Sequence, residues 1–212
     1  MNEADLRDQI VETGAALYQR GYTHGSTGNI SARCDAGWLL TPTNSCLGRL
    51  DPARLSLMSA DGRLISGDPP SKEAFLHLAI YQERSGLGAV VHLHGTHSTA
   101  VSLLADVDPA DVLPPLTAYY VMRIGRLPLV PYFKPGDVAL AEAVRTAARL
   151  SHAVLLANHG PVVAGVGLSA ATDAVEELEQ TARLFLMLEG RNIRPLDPAQ
   201  VAELRAAFPP PK

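Results

Sequence analysis

The chain has 212 residues, 47% of them hydrophobic and 19% charged, and a formal net charge of -4. That size suits one fairly large domain with a substantial core, and the composition is that of an ordinary globule. A slightly acidic balance excludes a global basic field for nucleic acid or anionic lipid, so any phosphorylated ligand must be held by a local site.

Leu6, Ile10 and Leu17 recur at helical spacing, and Gly21 follows as a C-cap. The turn-rich stretch 24–29 leads into strand-like residues, and residues 38–41 read as a strand ending at Pro42. Residues 56–59 and 63–66 flank Asp61-Gly62, a hairpin signal. Pro69-Pro70-Ser71 opens a helix with Ser71 as its N-cap and Phe75, Leu78 and Ala79 as its apolar face. Residues 89–94 form a short apolar run, expected as a buried strand, and a helix over 96–105 follows. Residues 127–131 are extended, and their prolines favour a sheet edge. A helix over 137–150, a strand over 153–157 and a long helix over 169–189 complete the core, the last with Val175, Leu178, Ala182 and Phe185 as its stripe. Residues 207–212, with Pro209-Pro210-Pro211, read as a disordered tail. Helices and strands alternate, yet hairpins occur as well. The expectation is one domain over 1–212, with a central mixed or antiparallel sheet flanked by helices.

Cys34 and Cys46 make no disulfide framework, and free thiols in a reducing compartment are expected. The first five residues are acidic and lack the profile of a secretion signal, and no apolar run reaches membrane-spanning length. A cytoplasmic protein with no membrane partner follows as an expectation.

His92 and His94 stand two apart on the expected strand, so both imidazoles leave one face. His159 follows a second apolar strand directly, in a Gly-Pro turn. Three neutral nitrogens hold a divalent ion and leave a coordination position for substrate. Glu73, in the first turn of the helix near Ser71, is placed to act as acid or base beside such an ion, or to fill its fourth position. Gly28-Asn29, Thr43-Asn44 and Ser71 supply hydroxyls, amides and glycine-exposed backbone donors suited to an anion. His24, His77, His97 and His152 read as ordinary polar residues.

Five motifs occur in an order and spacing that resemble the class II aldolase/adducin family, over about residues 5 to 190. They are Gly28-Asn29-Ile30-Ser31, Thr41-Pro42-Thr43-Asn44, Pro70-Ser71-Lys72-Glu73, His92-Leu93-His94 and Asn158-His159-Gly160. The resemblance implies a three-layer α/β/α fold around a mostly antiparallel mixed sheet, and a homotetramer with sites between subunits. It implies zinc (with manganese or cobalt as alternatives) on His92, His94 and His159, with Glu73 as an acid/base that can touch the metal. Gly28, Asn29, Thr43, Asn44, Ser71 and Lys72 would surround a substrate phosphate, and Tyr119 or Tyr120 would be a proton donor from the neighbouring subunit.

Within the family, residues 25–29, 43–48 and 118–122 resemble its decarboxylating branch, which implies loss of carbon dioxide from a 3-oxo-tetronate 4-phosphate through an enediolate. Sugar-phosphate aldolases commonly carry Ser-Gly at Thr43-Asn44 and Ser at Lys72; a lysine suits a substrate with two anions. The competing expectations are a sugar-phosphate aldolase, a pentulose-phosphate 4-epimerase or a dehydratase on the same ligands, then a non-catalytic adducin-like assembly module, and last a zinc hydrolase.

Overall fold

A computed structural model describes residues 2–134, 137–209 and 211. Its centre is an eight-stranded sheet in the order β4-β3-β2-β1-β5-β8-β7-β6. The strands are β1 (Asn29–Cys34), β2 (Gly37–Leu40), β3 (Ser56–Met58), β4 (Leu64–Ser66), β5 (Ala89–His92), β6 (Leu129–Val130), β7 (Ala153–Leu156) and β8 (Gly160–Gly165). Every pairing is antiparallel except that of β6 with β7. The sheet is therefore mixed and mostly antiparallel, as expected, with the proline-flanked β6 at an edge.

Alternate residues along the inner strands feed two cores, whereas the edge strand β4 is exposed. Ile30, Ala32, Leu39, Val91, Leu155 and Val163 pack toward α1 (Glu3–Gln19), α3 (Thr96–Val101), α4 (Ala118–Arg123) and α6 (Leu168–Met187). Trp38, Leu40, Val90, Val154, Leu156 and Val162 pack toward α2 (Ala74–Glu83) and α5 (Ala139–Ala148) on the other face. This period of two, buried on both sides, makes three layers. At roughly 25 cal/mol per Å2 of apolar area, each fully buried Leu, Ile or Val contributes about 1.5–3 kcal/mol.

Several expected boundaries shift. Gly21 (φ +77°) sits one residue beyond the Arg20 C-cap of α1. The helix expected over 96–105 stops at Val101, and the strand expected over 89–94 stops at His92. Ser71 is not the N-cap of α2: residues 71–73 make a turn, closed by Ala74 N–H to the Ser71 carbonyl at 3.0 Å, and Glu73 takes the cap position. The buried face of α2 is Leu76, His77, Ala79, Ile80 and Tyr81, with Phe75 and Leu78 only half-buried at its margin.

Among the described residues, β8, α4, α7 (Pro198–Ala207) and two short 3-10 turns at Leu47–Arg49 and Pro52–Arg54 were not anticipated. β8 opens on Gly160-Pro161, which reads locally as a turn, yet it fills the slot between β5 and β7. Of the expected tail, Pro210 and Lys212 lie outside the described residues, and Arg84 donates to the Pro211 carbonyl at 2.9 Å. Cys34 and Cys46 are free thiols, each half-buried. Among the described residues no helix is long and apolar enough to cross a membrane.

Candidate active site

Four donors meet where the end of β5, the β7–β8 turn and the N-terminus of α2 come together. His92 closes β5, is fully buried, and shares the α2-facing side of the sheet with Val90. His94 lies two residues past the strand end; Leu93 between them packs into the opposite core, and the ring centroids of His92 and His94 are 5.0 Å apart. His159 occupies the β7–β8 turn between Asn158 (φ +60°) and Gly160 (φ +152°). A side chain on Gly160 would run into the Leu93 carbonyl, so glycine lets this turn close on the segment that carries His94.

The Nε2 atoms of His94 and His159 are 3.0 Å apart. Glu73 brings Oε1 within 3.1 Å of His159 Nε2 and Oε2 within 3.4 Å of His92 Nε2. One ligand atom from each of Glu73, His92, His94 and His159 lies within 4.8 Å of all the others. The set fits a divalent ion. His92 donates from Nδ1 to the Pro161 carbonyl at 2.8 Å, which aims the Nε2 lone pair into the cluster. Among the described residues that buried Nε2 has no hydrogen-bond partner, a state that costs about 1–3 kcal/mol and that a cation relieves.

The electrostatics agree with ligand chemistry. Burial holds His92 below the ordinary imidazole value, and burial with the neighbouring His92 and His159 pushes His94 down to about 3, so both rings are neutral at pH 7. Burial alone raises Glu73, but His92, His159 and the Asn29 hydrogen bond outweigh it and hold the carboxyl well below the usual carboxylate range.

Behind Glu73 runs a buried relay that the sequence reading missed. Asn29 Nδ2 donates to Glu73 Oε2 at 2.7 Å, and the Asn29 carbonyl accepts from His77 Nε2 at 2.5 Å. His77 Nδ1 accepts from Ser31 Oγ at 2.6 Å, and Ser31 Oγ accepts from Tyr81 at 2.8 Å. Every donor points one way, from Tyr81 toward Glu73, and His77 is a neutral imidazole, burial pushing it down to about 3. Two periodicities build the relay. Glu73, His77 and Tyr81 are four apart along α2, while Asn29 and Ser31 are two apart on the α2-facing side of β1. Polar residues alternating inside an otherwise apolar strand were the available signal.

The donors open onto a cavity of about 850 Å3. Its lining includes Gly28, Asn29, Thr43, Asn44, Ser71 and Lys72, so the three expected anion loops converge on one space. Several expected donors are already engaged. Thr43 N–H donates to the Pro69 carbonyl, Ser71 N–H to the Thr41 carbonyl and Thr27 N–H to the His24 carbonyl, and both ends of the Asn29 amide are used. The side chains of Ser26, Thr43, Asn44 and Ser71, exposed Lys72 and the backbone at Gly28 line the space and remain to meet an anion. His24 and Tyr132, which the sequence reading left aside, also line the space. Tyr119 and Tyr120 do not. Tyr119 is 59% exposed on α4, whereas the Tyr120 hydroxyl is buried without a partner among the described residues, in the core on the far side of the sheet from α2.

Residues 8–186 match the family model described as the class II aldolase and adducin N-terminal domain. The chain is 50% identical over 210 residues to the 3-oxo-tetronate 4-phosphate decarboxylase of Cupriavidus necator, covering 97% of each. It is 36% identical over 181 residues to the L-fuculose phosphate aldolase of Methanocaldococcus jannaschii, covering 85% of this chain and 96% of that one. The crystal structure of YgbL from Klebsiella pneumoniae superposes with a TM-score of 0.95 at 48% identity, covering 97% of this chain and all of that one.

Proposed function

This chain belongs to the class II aldolase and adducin family, and from that footing we propose that it is a lyase that decarboxylates a 3-oxo-tetronate 4-phosphate to dihydroxyacetone phosphate and carbon dioxide. One observation carries the reading. A single cavity presents a three-imidazole, one-carboxylate donor set on one side and short polar loops with a lysine on the other. The 50% identity to the Cupriavidus decarboxylase across almost the whole of both chains selects this reaction within the family.

His92, His94 and His159 would hold the metal, which we take to be zinc from the nitrogen-rich donor set, with Glu73 as the fourth donor before substrate enters. A divalent ion bound there supplies Lewis-acid stabilisation of the negative charge that develops as carbon dioxide leaves. Thr43, Asn44, Ser71 and Lys72 take the phosphate, and the Lys72 ammonium answers the second anion, the carboxylate. When the bond between C1 and C2 breaks, its electron pair stays at C2 of the remaining three-carbon fragment. A proton taken up from solvent must then be delivered to C2. Glu73, held in place by Asn29, is the group that carries it. Tyr119, reaching in from a neighbouring copy in a tetramer, is the second candidate donor; its exposure suits that role and the burial of Tyr120 does not.

A sugar-phosphate aldolase is the second reading, favoured by the 36% identity to the Methanocaldococcus enzyme, because cleavage to an aldehyde leaves the same electron pair for the same site. An adducin-like assembly module has no use for four converged donors. Metal-loaded protein incubated with 3-oxo-tetronate 4-phosphate is expected to release one carbon dioxide per dihydroxyacetone phosphate. Aldehyde release from a sugar phosphate, with no carbon dioxide from the tetronate, would transfer the assignment to the aldolases.

A further inference from the structure

On the face of the sheet opposite α2, a carboxylate buried between helices has no part in the chemistry above. Glu179 of α6 is 6% exposed and accepts four hydrogen bonds, all from the first turn of α3. His97 N–H reaches Oε1 at 2.7 Å and His97 Nδ1 reaches the same oxygen at 2.8 Å. Ser98 N–H reaches Oε2 at 2.9 Å and Ser98 Oγ reaches it at 2.6 Å. The N-cap residue of α3 is Gly95, which has no side chain with which to cap its own helix. A Cβ at Gly95 would collide with the Glu179 carboxylate, so the glycine makes room for a cap supplied from another helix.

What α3 holds gives this cap its meaning. Its N-cap is covalently next to His94. Thr99 Oγ1 donates to the His159 carbonyl at 3.0 Å, and Ser102 Oγ accepts from Asn158 N–H at 3.0 Å. One six-residue helix therefore ties the segment bearing His94 to the turn bearing His159, while His92 is fixed separately by the sheet through Pro161. So short a helix is marginal by itself, and its position depends on what anchors its ends.

We propose that Glu179 is a positioning residue for the metal-binding donors: by capping α3 from α6, it sets the spacing of His94 and His159. The inference rests on the metal reading of the cluster. Outer partners that orient ligands typically change metal affinity by about 10–100-fold when removed. Glu179→Gln keeps the shape but turns an amide N–H2 toward N–H donors that need an acceptor.

The test is cobalt(II) binding to purified full-length protein, read by competition against a chelator and by the visible absorption of the bound ion, with no substrate present. Glu179→Gln is expected to lose about 10–100-fold in cobalt affinity and to show an altered band shape while still folded by circular dichroism. Ile10→Ala, a core truncation in α1, is expected to lower the melting temperature yet leave both metal readouts unchanged. Ser98→Ala, which removes one of the four hydrogen bonds, should show a smaller affinity loss in the same direction, and it decides the matter if Glu179→Gln does not fold. Wild-type affinity and spectrum in a folded Glu179→Gln, or in Ser98→Ala when that variant decides, overturn the inference alone. An equal affinity loss in Ile10→Ala overturns it too, since stability would then explain the effect. A wild-type protein that binds no cobalt overturns the metal reading and this inference together.

Discussion

Replacing Glu73 by glutamine separates holding a metal from moving a proton. The side chain keeps its length, and its environment dictates how the amide must sit. Asn29 presents Nδ2 to position 73 because its carbonyl is held by His77 at 2.5 Å. Glutamine must therefore turn its oxygen to Asn29 and its N–H2 toward His159 Nε2, which faces Glu73 Oε1 at 3.1 Å. An amide there carries no proton to C2. Loss of a general acid–base typically costs 10²–10⁴-fold in kcat, a barrier increase of about 2.7–5.4 kcal/mol. Three imidazoles remain, so the metal stays largely bound. The assay pairs metal content by elemental analysis with carbon dioxide release on the same preparation. Turnover near wild type at equal metal content refutes the role of Glu73 in the chemistry, and loss of the metal itself reassigns Glu73 to ligation.

His92→Ala or His159→Ala should lose metal and activity together, and a variant that retains stoichiometric metal by elemental analysis removes that histidine from the ligand set. Lys72→Met should raise KM for the tetronate phosphate, because the exposed ammonium binds the substrate's anionic groups; an unchanged KM in steady-state kinetics contradicts this. Ser31→Ala orphans the Tyr81 hydroxyl and His77 Nδ1 inside the core, so at about 1–3 kcal/mol for each unsatisfied group a loss of roughly 2–6 kcal/mol in urea denaturation is expected. Burial, then His92, hold folded His77 at about 3 against 6.5 in the free side chain. The unfolded chain thus binds the extra proton between those values. The stability contributed by His77 is complete above pH 6.5 and declines by up to about 1.4 kcal/mol per pH unit as pH falls toward 3. Urea midpoints followed across that window should fall less steeply in His77→Gln than in wild type, and parallel slopes would contradict the assignment.

Much of the fold was legible locally because its elements follow from periodicity. The stripe of Val175, Leu178 and Ala182 marks α6, the apolar runs mark β5 and β7, and the prolines beside β6 mark an edge. β8 was not legible: Gly160-Pro161 punctuates locally, and only pairing on both sides makes it a central strand. For the site, residue types were readable and their geometry was not. Ser71 looked like a helix cap, yet the turn it opens hands that position to Glu73 and so delivers the carboxylate to the histidines.

By itself the sequence determined which side chains were available for metal and anion chemistry, since His92, His94, His159, Glu73 and Lys72 are rare functional types at suggestive spacings. Tertiary structure alone decided that they face one another, and that His77 and Glu179, plain residues in their own helices, stand behind them as buried hydrogen-bond partners. The physical reason is range. Periodicity reports which face of an element is buried, but a hydrogen bond between residues tens of positions apart exists only after the sheet has brought their elements together.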